Sequence, residues 1–522
     1  MKRETSMSRG FSMEDKIRNK ILLINKLEET LEAFRNSGKT IVQSHGVFDL
    51  IHPGVIKHLN SARKQGDILV VTVIRDSDVR RGSGRPIFPD QFRAENVASL
   101  EYVDYVCIVD DKTPFECVKR IRPDVFAKGQ AYKERDRKIH EKIFEEERDF
   151  YFGKSKIYET DDFTFSSSQI INNFLDIFPA ETKAFLKNFS DTYSFHDIVE
   201  SLNALKDLKV LLIGDGIIDE YHYCDSMGKS AKAHLVVNRY LTHEIFAGGA
   251  FAIANHIAGF CSNVHLVSLL GREDSREEFI MNSLKPNIDT KFFYRGKGPS
   301  VIKKRYINQY LNQKLFEINY LDDENINAQC ESDIIDYLKS RSPEYDLILV
   351  SDFGHGFITE NIIRTIEALS IKYAVNTQTN AANRGYNLIT KYKNPFYVCL
   401  DEPECRLAAQ ERHKNIEDIV KNIKSIIKAE HMIVTLGKNG SIGINCNNKM
   451  NRTPVLSSKV IDTVGAGDAF FAYTAPCFAR GLPLDLVSFI GNAVGALAVQ
   501  ITGNKSSVEK HALLEFIHTV LK

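Results

Sequence analysis

Tryptophan is absent from the 522 residues, and nothing about fold or function follows from that. Other absences are informative. There is no net charge: 68 Lys and Arg stand against 68 Asp and Glu, so the bulk balance favours neither nucleic acid nor an acidic membrane surface as a partner. No apolar run is long enough to span a bilayer, and Met1 to Lys20 is charged, without the apolar core of a secretion signal. The nine cysteines include no CxxC pair, which argues against a disulfide or zinc framework. Buried, reduced thiols in a cytoplasmic protein are the expectation.

What is present divides into two patterns. A chain of 522 residues is too long for one core and implies two or three domains. Residues 1–13 mix Ser, Arg, Lys, Met and Gly without period and are expected to be disordered. From Glu14 to Asn36, Ile17, Ile21, Leu22, Ile24, Leu27, Leu31 and Phe34 recur at helical spacing, with Gly38 as a stop. Thr40–Ser44, Asp67–Ile74 and Tyr105–Val109 read as strands, and Gln91–Leu100 as a helix. Strand and helix in alternation predict a parallel doubly wound sheet, whose ligands bind beyond the carboxyl ends of the strands. The turn from His45 to Leu59 lies at such an end.

That turn, His45-Gly46-Val47-Phe48-Asp49-Leu50-Ile51-His52-Pro53-Gly54-Val55, resembles the GxFDxxHxGH signature of the cytidylyltransferase-like nucleotidyltransferases. Gly84-Arg85-Pro86 with Arg93, Pro123-Asp124 with Lys128-Gly129, and Phe165-Ser166-Ser167-Ser168-Gln169-Ile170-Ile171 resemble later segments of that family in the same order. The likeness covers Thr40 to Phe174. It implies attack of a sugar phosphate on the α-phosphate of ATP or CTP, releasing pyrophosphate. His52, Lys128 and Arg93 are the implied donors to the developing charge. Gly46, Phe48, Ser166, Ser167 and Ser168 are implied around the nucleotide. One position departs from the family. Its second His is Val55 here, and His58 falls on another face of the helix. Either His45 or Lys57 substitutes as a donor, or this domain is slow or inactive.

The second pattern centres on Asp462-Thr463-Val464-Gly465-Ala466-Gly467-Asp468-Ala469, between the apolar run Val455–Ile461 and a helical pattern over Ala469–Ala479. A glycine-rich loop opening a helix aims backbone N–H groups at one spot and makes an anion site. An acidic residue at its mouth would repel a resting phosphate. Asp468 is therefore read as the base that takes a proton from a hydroxyl, while Gly465, Ala466 and Gly467 stabilise a phosphoryl group in transfer. Ordinary acidic capping of a helix would give a shorter GxGD just as well. The full DTVGAGDAF resembles the signature of the ribokinase-like (phosphofructokinase-B) carbohydrate kinases, in which the final Asp is the base.

That resemblance extends over Lys209 to Lys522. It implies a sugar site from Asp215, Asp219, Gly248 and Gly249, with Lys303 and Arg305 on a phosphate already carried by the sugar and Asp352 at another strand end. Asp401 and Glu404 resemble the family's N-x-x-E element, which organises Mg²⁺ around the triphosphate. Thr435, Gly437 and Asn492 are implied in nucleotide binding, with ATP as phosphoryl donor. The sugar-facing positions depart: Ala252 replaces an Asn, Lys232 replaces an acidic residue, and Asn376 and Gln378 stand where heptose kinases have Asp-x-Lys.

The expected fold is α/β: a Rossmann-like nucleotidyltransferase, then a ribokinase-like α/β/α sandwich with a small β lid. The expected boundaries are a tail and helix over 1–37, the transferase over 38–176, linker helices over 177–206 and the kinase over 207–522. Within the linker, Glu181–Leu186 and Phe195–Leu205 read as short helices with a polar stretch, Lys187–Tyr193, between them. The combination resembles the bifunctional heptose 7-phosphate kinase/heptose 1-phosphate adenylyltransferases with the two domains in reversed order. It implies a nucleotide-activated sugar for a surface glycan, made from a small sugar phosphate and nucleoside triphosphates, without nucleic acid or membrane. Three other readings stand beside it: a working kinase with a retired transferase, a nucleotide-responsive regulatory or scaffold protein with neither activity, against which Asp468 and its loop argue, and cytidylyl transfer to an alditol phosphate. Kinases of this kind often pair through strand-rich inserts, which makes Tyr221–Phe246 the candidate surface for a homodimer.

Overall fold

The computed structural model describes residues 13–79, 85–110, 115–129, 155–160, 178–381, 383–457 and 460–521. The chain divides into two compact units, one of Met1–Pro179 with His518–Lys522 and one of Ala180–Ile517.

The first unit runs α1 (Met13–Lys20), α2 (Ile24–Asn36), β1 (Ile41–Gly46), α3 (Pro53–Arg63), β2 (Ile68–Ile74), α4 (Asp90–Ala98), β3 (Tyr105–Val109), α5 (Phe115–Ile121), β4 (Val125–Gly129) and β5 (Lys156–Thr160). Its sheet is parallel throughout, in the order β3-β2-β1-β4-β5. The sequence of β2, Ile-Leu-Val-Val-Thr-Val-Ile, is what a strand covered on both faces requires. The single helix expected over Glu14–Asn36 is two helices. Ile21 forms a parallel bridge with Val106, and Leu22 N–H donates to the Val106 carbonyl at 2.9 Å. β3 is a sheet edge with unpaired backbone groups, and satisfying them there outweighs one more helical turn.

The second unit runs α6 (Ala180–Thr192), α7 (Phe195–Asn203), β6 (Lys209–Gly214), β7 (Gly216–Lys229), β8 (Val236–Gly249), α8 (Ala250–Ala258), β9 (Asn263–Leu270), α9 (Glu277–Ser283), β10 (Ile288–Tyr294), β11 (Ile302–Asn308), β12 (Gln313–Tyr320), α10 (Ala328–Arg341) and β13 (Leu347–Asp352). It continues with α11 (Glu360–Ala368), β14 (Lys372–Thr377), β15 (Tyr397–Asp401), α12 (Glu402–Ala409), α13 (Ile416–Ile427), β16 (His431–Thr435), β17 (Ser441–Ile444), β18 (Met450–Thr453), α14 (Ala466–Ala479) and α15 (Leu484–Ala498); the last helix is α16 (Lys510–Val520). A nine-stranded sheet has the order β10-β9-β6-β13-β14-β15-β16-β17-β18, antiparallel only at β16/β17/β18. A separate four-stranded sheet, β12-β11-β7-β8, forms the lid. Where β7 leaves the main sheet the packing is close: a Cβ on Gly216 would lie 2.0 Å from the Phe251 ring.

Helix α6 runs to Thr192, through the stretch read as a polar connector. Leu186 and Phe189 are buried one turn apart, and the Phe189 ring stacks on Phe489 at 4.0 Å between centroids. At the end of the apolar run before Asp462, Val460 and Ile461 are exposed, and Ile461 N–H donates to the Val499 carbonyl at 2.8 Å. All nine cysteines are free thiols; eight are buried and Cys446 is exposed. Burial pushes the Cys107, Cys261 and Cys405 thiols up to about 12. Among the described residues no helix is long and apolar enough to cross a membrane.

Candidate functional site

Parallel pairing forces β6, β13, β14, β15 and β16 to end at the same edge of the main sheet, and their terminal residues gather there. Helix α14 opens onto this edge. Gly465 caps it at φ +83°, a left-handed conformation, and a Cβ there would lie 2.1 Å from Asn504 Oδ1. Nothing lies within 4 Å of a Cβ built on Gly467, so the helix start is open at that position. Ala466 N–H donates to the Thr463 carbonyl at 3.3 Å, closing the turn that leads into the helix. Asp462 pins the loop. It accepts from Tyr221 Oη at 2.7 Å, Lys314 Nζ at 2.8 Å, Gly503 N at 3.0 Å and Val464 N at 3.2 Å.

Asp468 is 5% exposed, two residues inside this helix start. Its Oδ1 accepts from Gln378 Nε2 at 2.6 Å. Burial, reinforced by the Asp219 charge, pushes its carboxyl up to about 7. Asp215, just past β6, accepts at Oδ2 from the Phe353 N–H at 2.9 Å, and burial with the Asp352 charge raises it to about 7. Asp215 and Asp468 are thus two buried carboxyls raised towards neutrality at the carboxyl-end edge of the main sheet, a pattern that clusters at functional sites.

Lys303 is the cation that faces this cleft. It is 8% exposed, lies over the Phe353 ring at 5.8 Å and feels Asp219 and Asp215; burial lowers its pKa. No hydrogen bond or ion pair joins its ammonium group to another described residue. Arg305 differs from the expectation. Its guanidinium is held by Asp219, and by Glu317 at 2.7 Å, because burial on the lid demands charge pairing. It shapes the pocket rather than offering a fork to a phosphate, and the pairing occupies Asp219 Oδ1 as well. Asp352 is also committed: it is 1% exposed and accepts from Tyr392 Oη and Lys391 Nζ, each at 2.6 Å. It secures the turn beneath the pocket and is not open to a sugar. Gly248 and Gly249 serve close packing. A Cβ on Gly248 would meet Asp219 Oδ2 at 2.2 Å, and Gly249 has φ +56°.

Asp401 and Glu404 form a capping box at the start of α12. Asp401 Oδ1 accepts from Glu404 N at 2.7 Å; Glu404 accepts from Asp401 N and Thr379 N, each at 3.1 Å. Burial and the Asp401 charge push Glu404 up to about 8, and the Asp468 charge adds to this. Uncompensated negative charge of this kind fits a divalent cation. Among the described residues no group of three or more His, Cys, Asp or Glu could hold one alone. The donor set therefore fits a Mg²⁺ that brings its own waters and phosphates. Thr435 ends β16, and Gly437, at φ +55°, faces open space. Asn492 gives its amide to Ser441 Oγ at 2.6 Å and the Ser488 carbonyl at 2.7 Å, inside the α15–β17 contact.

In the first unit, β1 ends in the turn holding Gly46 and Phe48; Phe48 takes φ +52°. His52 caps α3, its Nδ1 accepting from Gly54 N at 3.2 Å. That bond leaves the proton on Nε2, and burial lowers the pKa, so the ring is a neutral donor. Lys128 lies at the carboxyl end of β4, beside β1. Arg93 departs from its expected place. It is 0% exposed and donates to the Phe88 carbonyl at 2.9 Å, the Ile74 carbonyl at 2.7 Å, Asp76 Oδ1 at 2.6 Å and the Val47 carbonyl. Its donors brace the turn instead of meeting a ligand. Val55 packs against the apolar cluster around Leu59 and Ala62. His58 bridges Ser44 Oγ at 2.8 Å and Thr160 Oγ1 at 2.9 Å, and His45 Nδ1 meets Thr72 Oγ1 at 3.0 Å. Lys57 is exposed on α3. Ser166, Ser167 and Ser168, with Gly84, lie outside the described residues.

Asn504, Tyr221 and Lys314 are site residues that the sequence did not single out as functional, and Gln378, read there as a departing sugar-facing position, instead donates to Asp468. Gln378 lies just past β14, at the ligand-binding edge.

A family model for pfkB carbohydrate kinases matches residues 207–511, and one for cytidylyltransferase-like proteins matches residues 44–173. The chain is similar to the bifunctional protein HldE of Syntrophotalea carbinolica, 42% identical over 22% of this chain and 24% of that one. It is similar to HldE of Trichlorobacter lovleyi at 23% identity over 59% and 63% of the two chains, and of Haemophilus influenzae at 25% over 60% and 64%. The matched stretches thus span less than two thirds of these relatives. Among solved structures it is similar to phosphofructokinase-2 from Escherichia coli, with a TM-score of 0.49 and 14% identity over 59% of this chain and 98% of that one. A ribokinase from Thermotoga maritima gives a TM-score of 0.46 at 18% identity over 59% and 99%.

Proposed function

We propose two consecutive reactions for this chain, which belongs to the pfkB family of carbohydrate kinases through residues 207–511. The kinase unit phosphorylates the anomeric hydroxyl of a heptose-like sugar phosphate. The N-terminal unit then joins the sugar 1-phosphate to a nucleotide, giving an activated sugar for a surface glycan. The observation that carries the reading is Asp468: a buried carboxyl raised towards neutrality, in the first turn of a helix that Gly465 opens and that is exposed at Gly467.

In the kinase step the acceptor hydroxyl gives its proton to Asp468. Its oxygen bonds to the γ-phosphorus of ATP, and the bond from that phosphorus to the bridging oxygen breaks, releasing ADP. Gly465, Ala466 and Gly467 meet the negative charge on the moving group. Asp215 accepts from sugar hydroxyls, and Lys303 faces the phosphate the acceptor already carries. Thr435, Gly437 and Asn492 border the nucleotide. Glu404 and Asp401 would hold Mg²⁺ through its waters, and bound Mg²⁺ neutralises the triphosphate. In the transferase step a phosphate oxygen of the sugar 1-phosphate bonds to the α-phosphorus of ATP or CTP, and pyrophosphate leaves. His52 Nε2 and Lys128 donate to that centre, and Ser166, Ser167 and Ser168 border the nucleotide's phosphates. Both steps consume nucleoside triphosphates, which fits the cytoplasm. The apolar residues exposed on the lid, among them Tyr240, Phe316 and Ile318, suit pairing of two copies through that sheet.

Val55 supports a second reading, a kinase whose transferase has been retired. One experiment separates the two. Purified protein is given ATP, CTP and a panel of aldose phosphates that includes D-manno-heptose 7-phosphate, and ADP and pyrophosphate are followed separately by mass spectrometry. ADP followed by pyrophosphate is the expected result. ADP without pyrophosphate, with either nucleotide, would establish the kinase alone; pyrophosphate only from an alditol phosphate and CTP would overturn the sugar reading.

A further inference from the structure

The base is not held by its own helix. Gln378, one residue beyond β14, reaches across to it with Nε2 at 2.6 Å from Asp468 Oδ1 and at 3.1 Å from Asn376 Oδ1. Asn376 is itself anchored, giving its amide to the Cys399 carbonyl on β15 at 2.9 Å. This bond fixes which way both amides face. The Asn376 nitrogen is spent on a carbonyl, so its oxygen faces Gln378. A Gln378 carbonyl turned inward would meet that oxygen and the carboxylate, three acceptors with no proton between them. Both Gln378 N–H groups are therefore committed, one to each oxygen. Asp468 Oδ1 is occupied, and Oδ2 has no hydrogen-bond partner among the described residues.

We propose that Gln378 is a positioning residue of the kinase: it clamps Asp468 Oδ1 so that Oδ2 receives the proton of the acceptor hydroxyl, and it does so without bringing a charge to the base. The inference rests on Asp468 being the base. The groups facing that carboxyl are Asp219 on β7, Lys303 on β11, Cys399 on β15 and Glu404 on α12. Only Lys303 among them is a cation. A neutral donor holds the carboxylate still and leaves it basic enough to accept a proton near neutral pH. An ammonium in the same place would hold it equally well and weaken it as a base.

The test compares Gln378→Met, which keeps the length and loses both donors, with Gln378→Lys, which keeps a donor and adds a charge. The reaction is ADP release with the acceptor that wild type uses, or slow ATP hydrolysis where no acceptor of the panel is used. Gln378→Met is expected to lower kcat by about 10²-fold with KM for ATP changed less than about threefold, since a misplaced reacting group costs turnover and not binding. Its acid limb of kcat against pH moves up. For Gln378→Lys the limb moves down by about one unit. Opposite movements are not produced by general damage to the fold. ¹³C titration of the Asp468 carboxyl reads the same two shifts without any substrate. Shifts absent or in one direction for both variants would overturn the clamp. Asp468→Asn separates the levels: turnover surviving in that variant refutes the base assignment itself, whereas turnover lost there with unshifted Gln378 variants refutes only the role of Gln378.

Discussion

Asp468→Asn is expected to fold normally and to lose ADP formation by roughly 10²- to 10⁴-fold, the contribution of a positioned general base. Asparagine has the same shape and still accepts from Gln378, so the loss reads proton transfer alone. Pyrophosphate release from a supplied sugar 1-phosphate should be unchanged in the variant. The wild-type kinase rate should rise with pH through about 7, because the carboxyl must be ionised and burial has raised it to there. The stability effect runs the opposite way. The folded-state value lies above that of the unfolded chain, so the native state binds the proton more tightly, and the favourable contribution is lost as pH rises from about 4 to about 7. Asp468→Asn should therefore gain stability relative to wild type as pH rises across that window. Chemical denaturation at several pH values checks it, and a variant that grows less stable than wild type with rising pH would contradict the buried-charge argument.

His52→Ala should leave the kinase intact and lower pyrophosphate release by about 10²- to 10³-fold, the cost of removing one donor from a developing phosphoryl charge. The imidazole does two jobs: Nδ1 caps α3 and Nε2 carries the donor proton. His52→Asn preserves a cap and lacks the reach of Nε2, so an equal fall in both variants assigns the effect to Nε2; recovery in Asn would assign it to the helix start. The absence of a second imidazole makes this donor more important. Val55 is turned against apolar packing, and His58 is tied to β1 and β5. A Val55→His variant that gained transferase activity by orders of magnitude would mark the present domain as retired. Full activity with Val55 would exclude that reading, and loss on His45→Ala would then identify a second donor.

How much of this was legible from the sequence depended on how local each cause was. The parallel order of strands followed from apolar runs alternating with helical periodicity, and the Asp468 loop followed from glycine spacing within eight residues. The break at Ile21–Leu22 did not, because its cause is Val106 on an edge strand while the apolar period runs on unbroken. The length of α6 was hidden by the polar look of Lys187–Tyr193; Phe189 stacks on Phe489, in a distant part of the sequence. The sequence reads Arg93 as a donor to the developing phosphoryl charge and Arg305 as a fork for the sugar's phosphate. Each had the residue type and strand or helix position for that role, but neither position reveals that the nearest acceptors are the protein's own. Gln378 is the strongest case, since its partner on α14 is far along the chain and no periodicity links a strand end to a helix start.

The fastening of Asp462 has a thermodynamic consequence. Two of its four partners, Tyr221 and Lys314, belong to the lid, and the other two belong to the loops around the anion site. Lid and loop thus settle together, so any ligand that steadies one prepares the other. Linkage makes such synergy reciprocal: sugar must tighten ATP binding by the same factor by which ATP tightens sugar binding. Calorimetric titration of Asp468→Asn, which binds without turning over, should give one common factor from both orders of addition, and Lys314→Ala should bring it towards unity. Affinities that ignore the other ligand in the parent would mean that the lid's grip on Asp462 fastens the structure without transmitting anything through it.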